Sequence, residues 1–351
     1  MQRLGRLSEP PEPYEYFHLI GGTSTGGWVS ISLCDLFTAS SFQTDTCSSL
    51  IAVLLGRLHM TIAEAMAIYY DLSATVFPKG GKLAIGTYDH KPLETIIQKI
   101  VRERERGDKM LDKANDSELG HSFVCAIPSH DYMTPTRFRS YHIEGDNQSP
   151  ACAIWEACRA TSAAPGYFLP MEISWGDQTD RFLDGGLGCN NPAQWVLTEA
   201  ELLLGSDRKF GCLISLGTGD RSNKSAPGRG HIDRLKLRGL GIGSSFNQIR
   251  KYVSDIISDS RKTDHILKGI FENHAGSYYR FNVPGGADGI DLGDASKLPE
   301  IVSRTKSYLA RREVSSQMDE VAGILYRKSS PGLSLSRACE WSFSSRLECC
   351  D

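Results

Sequence analysis

The sequence predicts an α/β protein in which helices cover the faces of a mainly parallel sheet. Short apolar runs that end in glycine alternate with segments of helical periodicity, and the composition suits a large core. Of the 351 residues, 40% are hydrophobic and 23% are charged, which is ordinary for a folded globular protein. Alternation of strands with helices is typical of parallel sheets, because parallel neighbours need a crossover connection.

The elements follow in order along the chain. A strand over residues 14–20 enters a tight turn at Gly21-Gly22. A capping box from Thr61 to Glu64 begins one helix, and Lys91-Pro begins another with apolar residues at i, i+3, i+4, i+7 and i+8. The later candidates are strands over 122–127, 137–143, 181–183 and 211–216, and helices over 153–163, 192–204 and 246–257.

The charge balance and the cysteine content exclude several function classes. A formal net charge of -3 provides no basic face for displacing counterions, so we expect no nucleic-acid partner. Ten cysteines without a CxxC pair indicate reduced thiols, and we expect neither a metal nor another cofactor. The N-terminal residues lack the apolar core of a signal peptide, and no apolar stretch reaches the roughly 20 residues of a bilayer span. The sequence therefore predicts a cytoplasmic protein, with peripheral contact at membranes left open.

The candidate nucleophile is Ser24. Residues Gly22-Thr23-Ser24-Thr25-Gly26 match GxSxG, the turn that presents a serine between a strand and a helix. The glycines suit this turn because it is strained and leaves little room for side chains. The GK[ST] ending of a phosphate loop and the GxGxxG order of a dinucleotide loop are both missing. A flexible loop of small residues is the alternative interpretation.

The candidate general base is Asp184. A serine hydroxyl is a weak nucleophile until a base removes its proton. Asp184 ends the apolar run at 182–183, and Gly185-Gly186 follow it, so no bulky side chain separates the carboxylate from a neighbouring loop. An ordinary Asp-Gly turn is the alternative interpretation.

A histidine could serve as the base instead. A Ser–Asp–His order along the chain would require a downstream histidine, such as His231, His265 or His274. None of the three has a sequence context that distinguishes it from a surface or structural histidine. This alternative therefore stays open on the residues alone.

Four stretches of the chain together resemble the patatin-like phospholipase family, and they occur in the family's order. They are residues 14–27 (YEYFHLIGGTSTGG), 154–165 (IWEACRATSAAP), 182–192 (FLDGGLGCNNP) and 212–219 (CLISLGTG). The resemblance implies a three-layer α/β/α sandwich. It places the family domain over residues 14–310, strongest over 14–220, after an N-terminal segment over 1–13 and before a C-terminal helix and irregular tail over 311–351.

The resemblance also implies a function, that of a lipid acyl hydrolase of the phospholipase A or acylglycerol lipase type. In this family a serine–aspartate dyad acts without histidine or metal, and its residues map onto Ser24 and Asp184. Asp184 would accept the Ser24 proton as Ser24 attacks the ester, and water would then release the acyl group. The implied substrate is a phospholipid or an acylglycerol. The alternatives are a Ser–His–Asp esterase of another fold and a catalytically impaired lipid-binding or regulatory relative.

Two departures from the family pattern affect the site. Family members carry a D-G-G-G-x-R-G loop before the elbow, whose N–H groups form the oxyanion hole, and this chain begins after that point. Thr25 N–H would then be a partial oxyanion donor, and the absent strand would leave a central sheet edge unpaired. Second, residues 28–49 separate Gly27 from residues 50–58, which resemble the family's post-elbow helix. We expect residues 28–49 to be an insertion into the family pattern. The alternative is that residues 28–37 form the post-elbow helix and that the rest of the segment is a surface insertion.

One basic segment is a candidate membrane contact. Residues 221–238 carry several lysines and arginines interleaved with leucines and glycines. Such a segment can contact anionic lipid surfaces, and a solvated loop is the alternative interpretation.

Overall fold

The computed structural model describes residues 12–24, 46–78, 81, 83, 87–115, 117–146, 149–208, 211–219, 260–286, 290 and 295–327. Three sequence predictions lie outside these residues: the helix at 246–257, the basic segment at 221–238 and the irregular tail. Thr25, Gly26 and most of the predicted insertion also lie outside them.

Within the described residues, eight strands form a single mixed sheet. They are β1 (Leu19–Thr23), β2 (Thr46–Ser48), β3 (His121–Pro128), β4 (Thr136–Arg139), β5 (Met171–Trp175), β6 (Gln178–Asp184), β7 (Leu213–Leu216) and β8 (Tyr278–Phe281). Their order is β5-β6-β3-β1-β2-β7-β8, with β4 paired to β3. The pairings along β3, β1, β2, β7 and β8 are parallel. Strands β4 and β6 each pair antiparallel with β3, and β5 pairs antiparallel with β6.

Helices separate and follow these strands. They are α1 (Ser49–Ala52, continued by a π-helical turn over Val53–Arg57), α2 (Ile62–Val76), α3 (Lys91–Arg104), α4 (Ile154–Thr161), α5 (Ala193–Leu204), α6 (Arg261–Ile270), α7 (Leu298–Leu309) and α8 (Arg312–Arg327). Short 3₁₀ turns occupy Pro13–Glu15, Gly185–Leu187 and Ala295–Lys297. None of the helices that the structure describes combines the length and the apolar character needed to cross a bilayer.

The sheet separates two hydrophobic cores. Side chains alternate along β3, so Val124 and Ala126 join one core while Phe123 and Cys125 join the other. The larger core contains side chains of α1 to α4, α7 and α8, and the smaller one contains side chains of α5 and α6. Helices therefore cover both faces, and the α/β class predicted from the sequence is confirmed.

Local sequence signals predicted the positions of several helices correctly. Glu64 N–H donates to Thr61 Oγ1 at 3.2 Å and Thr61 N–H donates to Glu64 Oε2 at 2.8 Å, as a capping box requires. The helices at α2, α3, α4 and α5 are confirmed. The first strand was predicted too early: Pro13–Glu15 forms a 3₁₀ turn, and β1 begins at Leu19 and continues through both glycines. Strand β4 ends at Arg139, earlier than predicted.

The prediction of an unpaired central edge is wrong. Gly21, Gly22 and Thr23 of β1 pair with β2 in parallel register, and Thr46 of β2 pairs with Ser215 of β7. Strand β1 is therefore covered on both sides along its C-terminal part. The last residues of the predicted insertion supply this cover.

Candidate active site

Ser24 follows β1 directly and adopts a strained backbone conformation. Its φ is 60°, in the left-handed region that non-glycine residues rarely adopt. Gly22 allows α1 to pack closely here, because a Cβ on Gly22 would lie 2.6 Å from Ser49 Cα and 2.8 Å from Ala52 Cβ. A strained serine between a strand and a closely packed helix is the geometry of a nucleophile elbow.

Asp184 reaches Ser24 from the other side of β3. It ends β6, where it pairs with Ala126, while Thr23 pairs with Cys125 on the opposite edge of the same strand. Ser24 Oγ donates to Asp184 Oδ2 at 2.7 Å, and Gly186 N–H donates to Oδ1 at 2.7 Å. Both side chains are buried, with relative exposures of 5% for Ser24 and 0% for Asp184. The structure thus brings the two sequence-predicted residues into direct contact.

Burial controls the protonation of this carboxylate. Loss of water raises the pKa of Asp184 to about 7, and the hydrogen bonds from Ser24 and Gly186 oppose the rise by stabilising the charged form. A carboxyl group with a pKa near neutrality can both accept and return a proton under ordinary conditions. This is the electrostatic property that a general base needs.

Gly185 allows the aspartate to come so close. A Cβ at this position would overlap Cys125 O on β3 and Thr23 Oγ1 on β1. The residue after the aspartate therefore has to be a glycine if β6 is to end against the elbow. Glycine is needed here for close approach, since its φ is not in the left-handed region.

The end of α4 contacts both partners, which the sequence did not predict. Thr161 Oγ1 accepts from Ser24 N–H at 3.0 Å and donates to Cys125 O at 2.5 Å. Ala163 O accepts from Asp184 N–H at 3.1 Å. Within the run at residues 159–165 (RATSAAP), the threonine hydroxyl is the sequence signal for these contacts.

Helix α1 begins at the carbonyl group of Ser24. Ser49 N–H donates to Ser24 O at 3.0 Å, and Ser49 Oγ donates to the same oxygen. Thr25 and Gly26, predicted as elbow residues and as a partial oxyanion donor in the case of Thr25 N–H, lie outside the described residues.

The two candidate histidines that the structure describes, His265 and His274, form no hydrogen bond with Ser24 or Asp184. His231 lies outside the described residues, His265 is exposed on α6, and His274 follows the end of that helix. Within the described ranges, neither Ser24 nor Asp184 forms a hydrogen bond with an imidazole. Within the same ranges, no group of three or more His, Cys, Asp or Glu side chains is placed to hold a metal.

A three-layer α/β fold that holds a strained serine against a buried carboxylate is the arrangement expected of a serine hydrolase. Residues 1–196 match the model of the patatin-like phospholipase family, and the chain belongs to that family. Membership excludes the alternative of an esterase of another fold.

Individual relatives are similar over most of this chain. It is 27% identical to calcium-independent phospholipase A2-gamma of Rattus norvegicus, over 97% of this chain and 39% of that protein. It is 25% identical to the protein of the same name from Homo sapiens, over 93% of this chain and 37% of that protein. A probable inactive patatin-like protein 9 of Arabidopsis thaliana is 29% identical, over 81% of this chain and 67% of that protein. The chain thus spans 37% to 39% of the phospholipase A2-gamma proteins.

Proposed function

We propose that this chain is a lipid acyl hydrolase in which Ser24 is the nucleophile and Asp184 is the general base. The observation that carries the proposal is the 2.7 Å hydrogen bond from Ser24 Oγ to Asp184 Oδ2 at a strained elbow. The hydroxyl proton already points at the group that would accept it, with no intervening residue. Such alignment between a nucleophile and its base is what covalent catalysis by serine requires.

The reaction would proceed in two halves. Ser24 Oγ attacks the ester carbonyl carbon while its proton moves to Asp184, and the tetrahedral intermediate then expels the alcohol, which takes that proton. Water next attacks the acyl-enzyme, giving a proton to Asp184, and the released Ser24 Oγ recovers it as the fatty acid leaves. A phospholipid or acylglycerol is the proposed substrate, since several relatives are named as phospholipases.

The backbone around Ser24 limits which groups can bind the oxyanion. Ser24 N–H donates to Thr161 Oγ1 at 3.0 Å, so this N–H is not free to bind the oxyanion. A donor beyond Ser24 is therefore needed, and the neighbouring Thr25 N–H stays the predicted one. Each such donor is worth roughly two to three orders of magnitude in turnover.

A second candidate is a relative that binds lipid without turning it over. This second candidate is suggested by the Arabidopsis thaliana relative, which is named a probable inactive patatin-like protein. The two candidates differ in whether Ser24 reacts covalently.

A fluorophosphonate probe distinguishes these candidates on the full chain. We expect the probe to label Ser24, identified by mass spectrometry of the digested protein, and Ser24→Ala to abolish labelling. Ser277→Ala is the matched control, because Ser277 is also buried but its hydroxyl has no hydrogen-bond partner in the described structure. Labelling together with release of fatty acid from phospholipid or acylglycerol vesicles would support the hydrolase. Absence of labelling at Ser24 would exclude it.

A further inference from the structure

The side chain of Thr161 joins the nucleophile to the central strand. Its hydroxyl accepts from Ser24 N–H at 3.0 Å and donates to Cys125 O on β3 at 2.5 Å. The side chain is fully buried, with a relative exposure of 0%. Because the hydroxyl hydrogen is committed to Cys125, the oxygen lone pairs face Ser24.

The left-handed turn at Ser24 creates the need for this contact. The parallel pairing of β1 with its neighbours ends at Thr23, so Ser24 N–H has left the sheet. A buried backbone N–H without an acceptor is costly, and the φ of 60° adds strain that the surroundings must hold in place. Thr161 supplies the acceptor from a helix.

The same helix end holds the base. Two residues after Thr161, Ala163 O accepts from Asp184 N–H at 3.1 Å. The C-terminal end of α4 therefore contacts the backbone of both partners, which approach it from opposite edges of β3. One rigid segment can thereby set the distance between Ser24 Oγ and Asp184.

We propose that Thr161 is a positioning residue, whose hydroxyl fixes the Ser24 turn so that Ser24 Oγ stays aligned with Asp184. Its effect on catalysis rests on the proposed function, whereas the contact between Thr161 and Ser24 N–H does not. Displacement of a reacting group by about 1 Å can lower a rate by roughly 10²-fold. Loss of the hydroxyl should therefore reduce the chemical step without changing which lipid binds.

Two substitutions separate the hydroxyl from the shape of the side chain. Thr161→Val keeps the volume but removes the hydroxyl, and we expect kcat to fall by about 10- to 100-fold with KM nearly unchanged. Thr161→Ser keeps the hydroxyl, and we expect kcat to return to within a few-fold of the parent. Thr305→Val is the matched control, because Thr305 is also fully buried and its hydroxyl donates to Ile301 O at 2.9 Å in α7.

Hydrogen exchange of the Ser24 amide tests the contact without any activity. We expect exchange in folded Thr161→Val to be at least about 10-fold faster than in the parent, Thr161→Ser and Thr305→Val, because only Thr161→Val removes the acceptor. Unchanged exchange and kcat in Thr161→Val, or a loss in Thr161→Ser as large as in Thr161→Val, would overturn the proposal. Hydrolysis that survives Ser24→Ala would instead refute the proposed function, while the exchange rates would still decide the contact.

Discussion

Ser49 N–H donates to Ser24 O at 3.0 Å, as if the two residues lay one helical turn apart. If residues 28–48 were absent, Ser49 would follow Gly27 and become the fourth residue after Ser24. The bond is then the i to i−4 bond of a helix that starts at the elbow. That residues 28–49 are inserted stays a prediction, and this contact suggests that Ser49 itself belongs to the helix.

We therefore expect a chain without residues 28–48 to fold and to keep a fluorophosphonate-reactive Ser24. The deletion removes β2, which links β1 to β7, so folding requires these two strands to pair directly. It lets α1 continue directly from the elbow in its present register. A deletion of residues 28–50 is the control, because it would shift the helix by two residues and bring Leu58 to the place of Gly56. Gly56 lies against Ser122 so closely that a Cβ would be 2.5 Å from Ser122 Cβ. Loss of folding in both deletions would show that the segment is integral to the domain.

Ser24→Ala and Asp184→Asn should each abolish most esterase activity, and the double substitution should be no worse than either one. A nucleophile and its base act as one unit, so their contributions are strongly non-additive. Steady-state hydrolysis and circular dichroism would measure activity and folding together. His231→Ala, His265→Ala and His274→Ala should stay within a few-fold of the parent. A loss of about 10²-fold in one of them would favour a histidine base.

The pH dependence of turnover should follow Asp184. Burial raises its pKa to about 7, and the proposed base must be ionised, so activity should rise through that pH and level off above it. A pH–rate profile of kcat would measure this limb. A profile that stays flat from about pH 5 to about pH 8 would exclude Asp184 as the titrating base.

The raised pKa of Asp184 also means that the folded state loses stability as the pH rises. The folded state holds the Asp184 proton more tightly than the unfolded chain, so this group costs stability as pH rises from 3.8 through about 7. The cost is on the order of 4 kcal/mol at about 1.4 kcal/mol per unit of pKa. Asp184→Asn should therefore be more stable than the parent above neutral pH and similar near the unfolded-state pKa of 3.8, as measured by denaturant unfolding.

The sequence predicted those helices and turns that are determined by a local pattern of residues. The capping box at Thr61 and the apolar period after Lys91 fix helices locally, and the glycines at 21–22 and 185–186 indicate close approach. Strand β5 was not predicted, although Met171, Ile173 and Trp175 alternate with polar residues and pack on the larger core, which is the period-two pattern of a half-buried strand. The hydrogen-bond partners of Ser24 N–H and Ser24 O, on Thr161 and Ser49, could not be predicted from the sequence, because their proximity to Ser24 depends on the whole fold.

Gly185→Ala should abolish activity and lower stability, whereas Gly176→Ala should leave the site unchanged. An added Cβ at Gly185 would overlap Cys125 O and Thr23 Oγ1, so β6 would have to move away from the elbow. The Ser24–Asp184 distance would then increase. Gly176 lies in the β5–β6 turn, where an added Cβ would have nothing within 4 Å, although its φ of 57° adds some strain. Thermal unfolding and probe labelling would compare the two, and labelling of Gly185→Ala at the parent rate would contradict the argument.

Glu199 on α5 is the centre of a buried ionic cluster on the opposite side of β3 from α4. Arg137 and Arg139 lie two residues apart on β4, so both side chains face the same helix. Arg137 Nε donates to Glu199 Oε1 at 3.0 Å, Arg139 Nη2 to Oε1 at 2.7 Å, and Tyr141 OH to Oε2 at 2.7 Å. Glu199 has a relative exposure of 0%, and burial together with the negative charge of Glu199 raises the pKa of Tyr141.

Glu199→Gln should destabilise the fold by about 3 to 5 kcal/mol, because it removes the buried negative charge that pairs with Arg137 and Arg139, although Arg139 keeps its ion pair with Asp146. Glu172→Gln is the matched control, since its ion pair with Arg181 is exposed and such pairs contribute about 0 to 1 kcal/mol. Urea unfolding would measure both variants. Because the cluster contacts neither Ser24 nor Asp184, the fraction of Glu199→Gln that remains folded should label with fluorophosphonate at the parent rate. A loss of labelling in folded protein would mean that β4 and α5 position the site, and a change in stability below about 1 kcal/mol would mean that water or another group compensates the arginines.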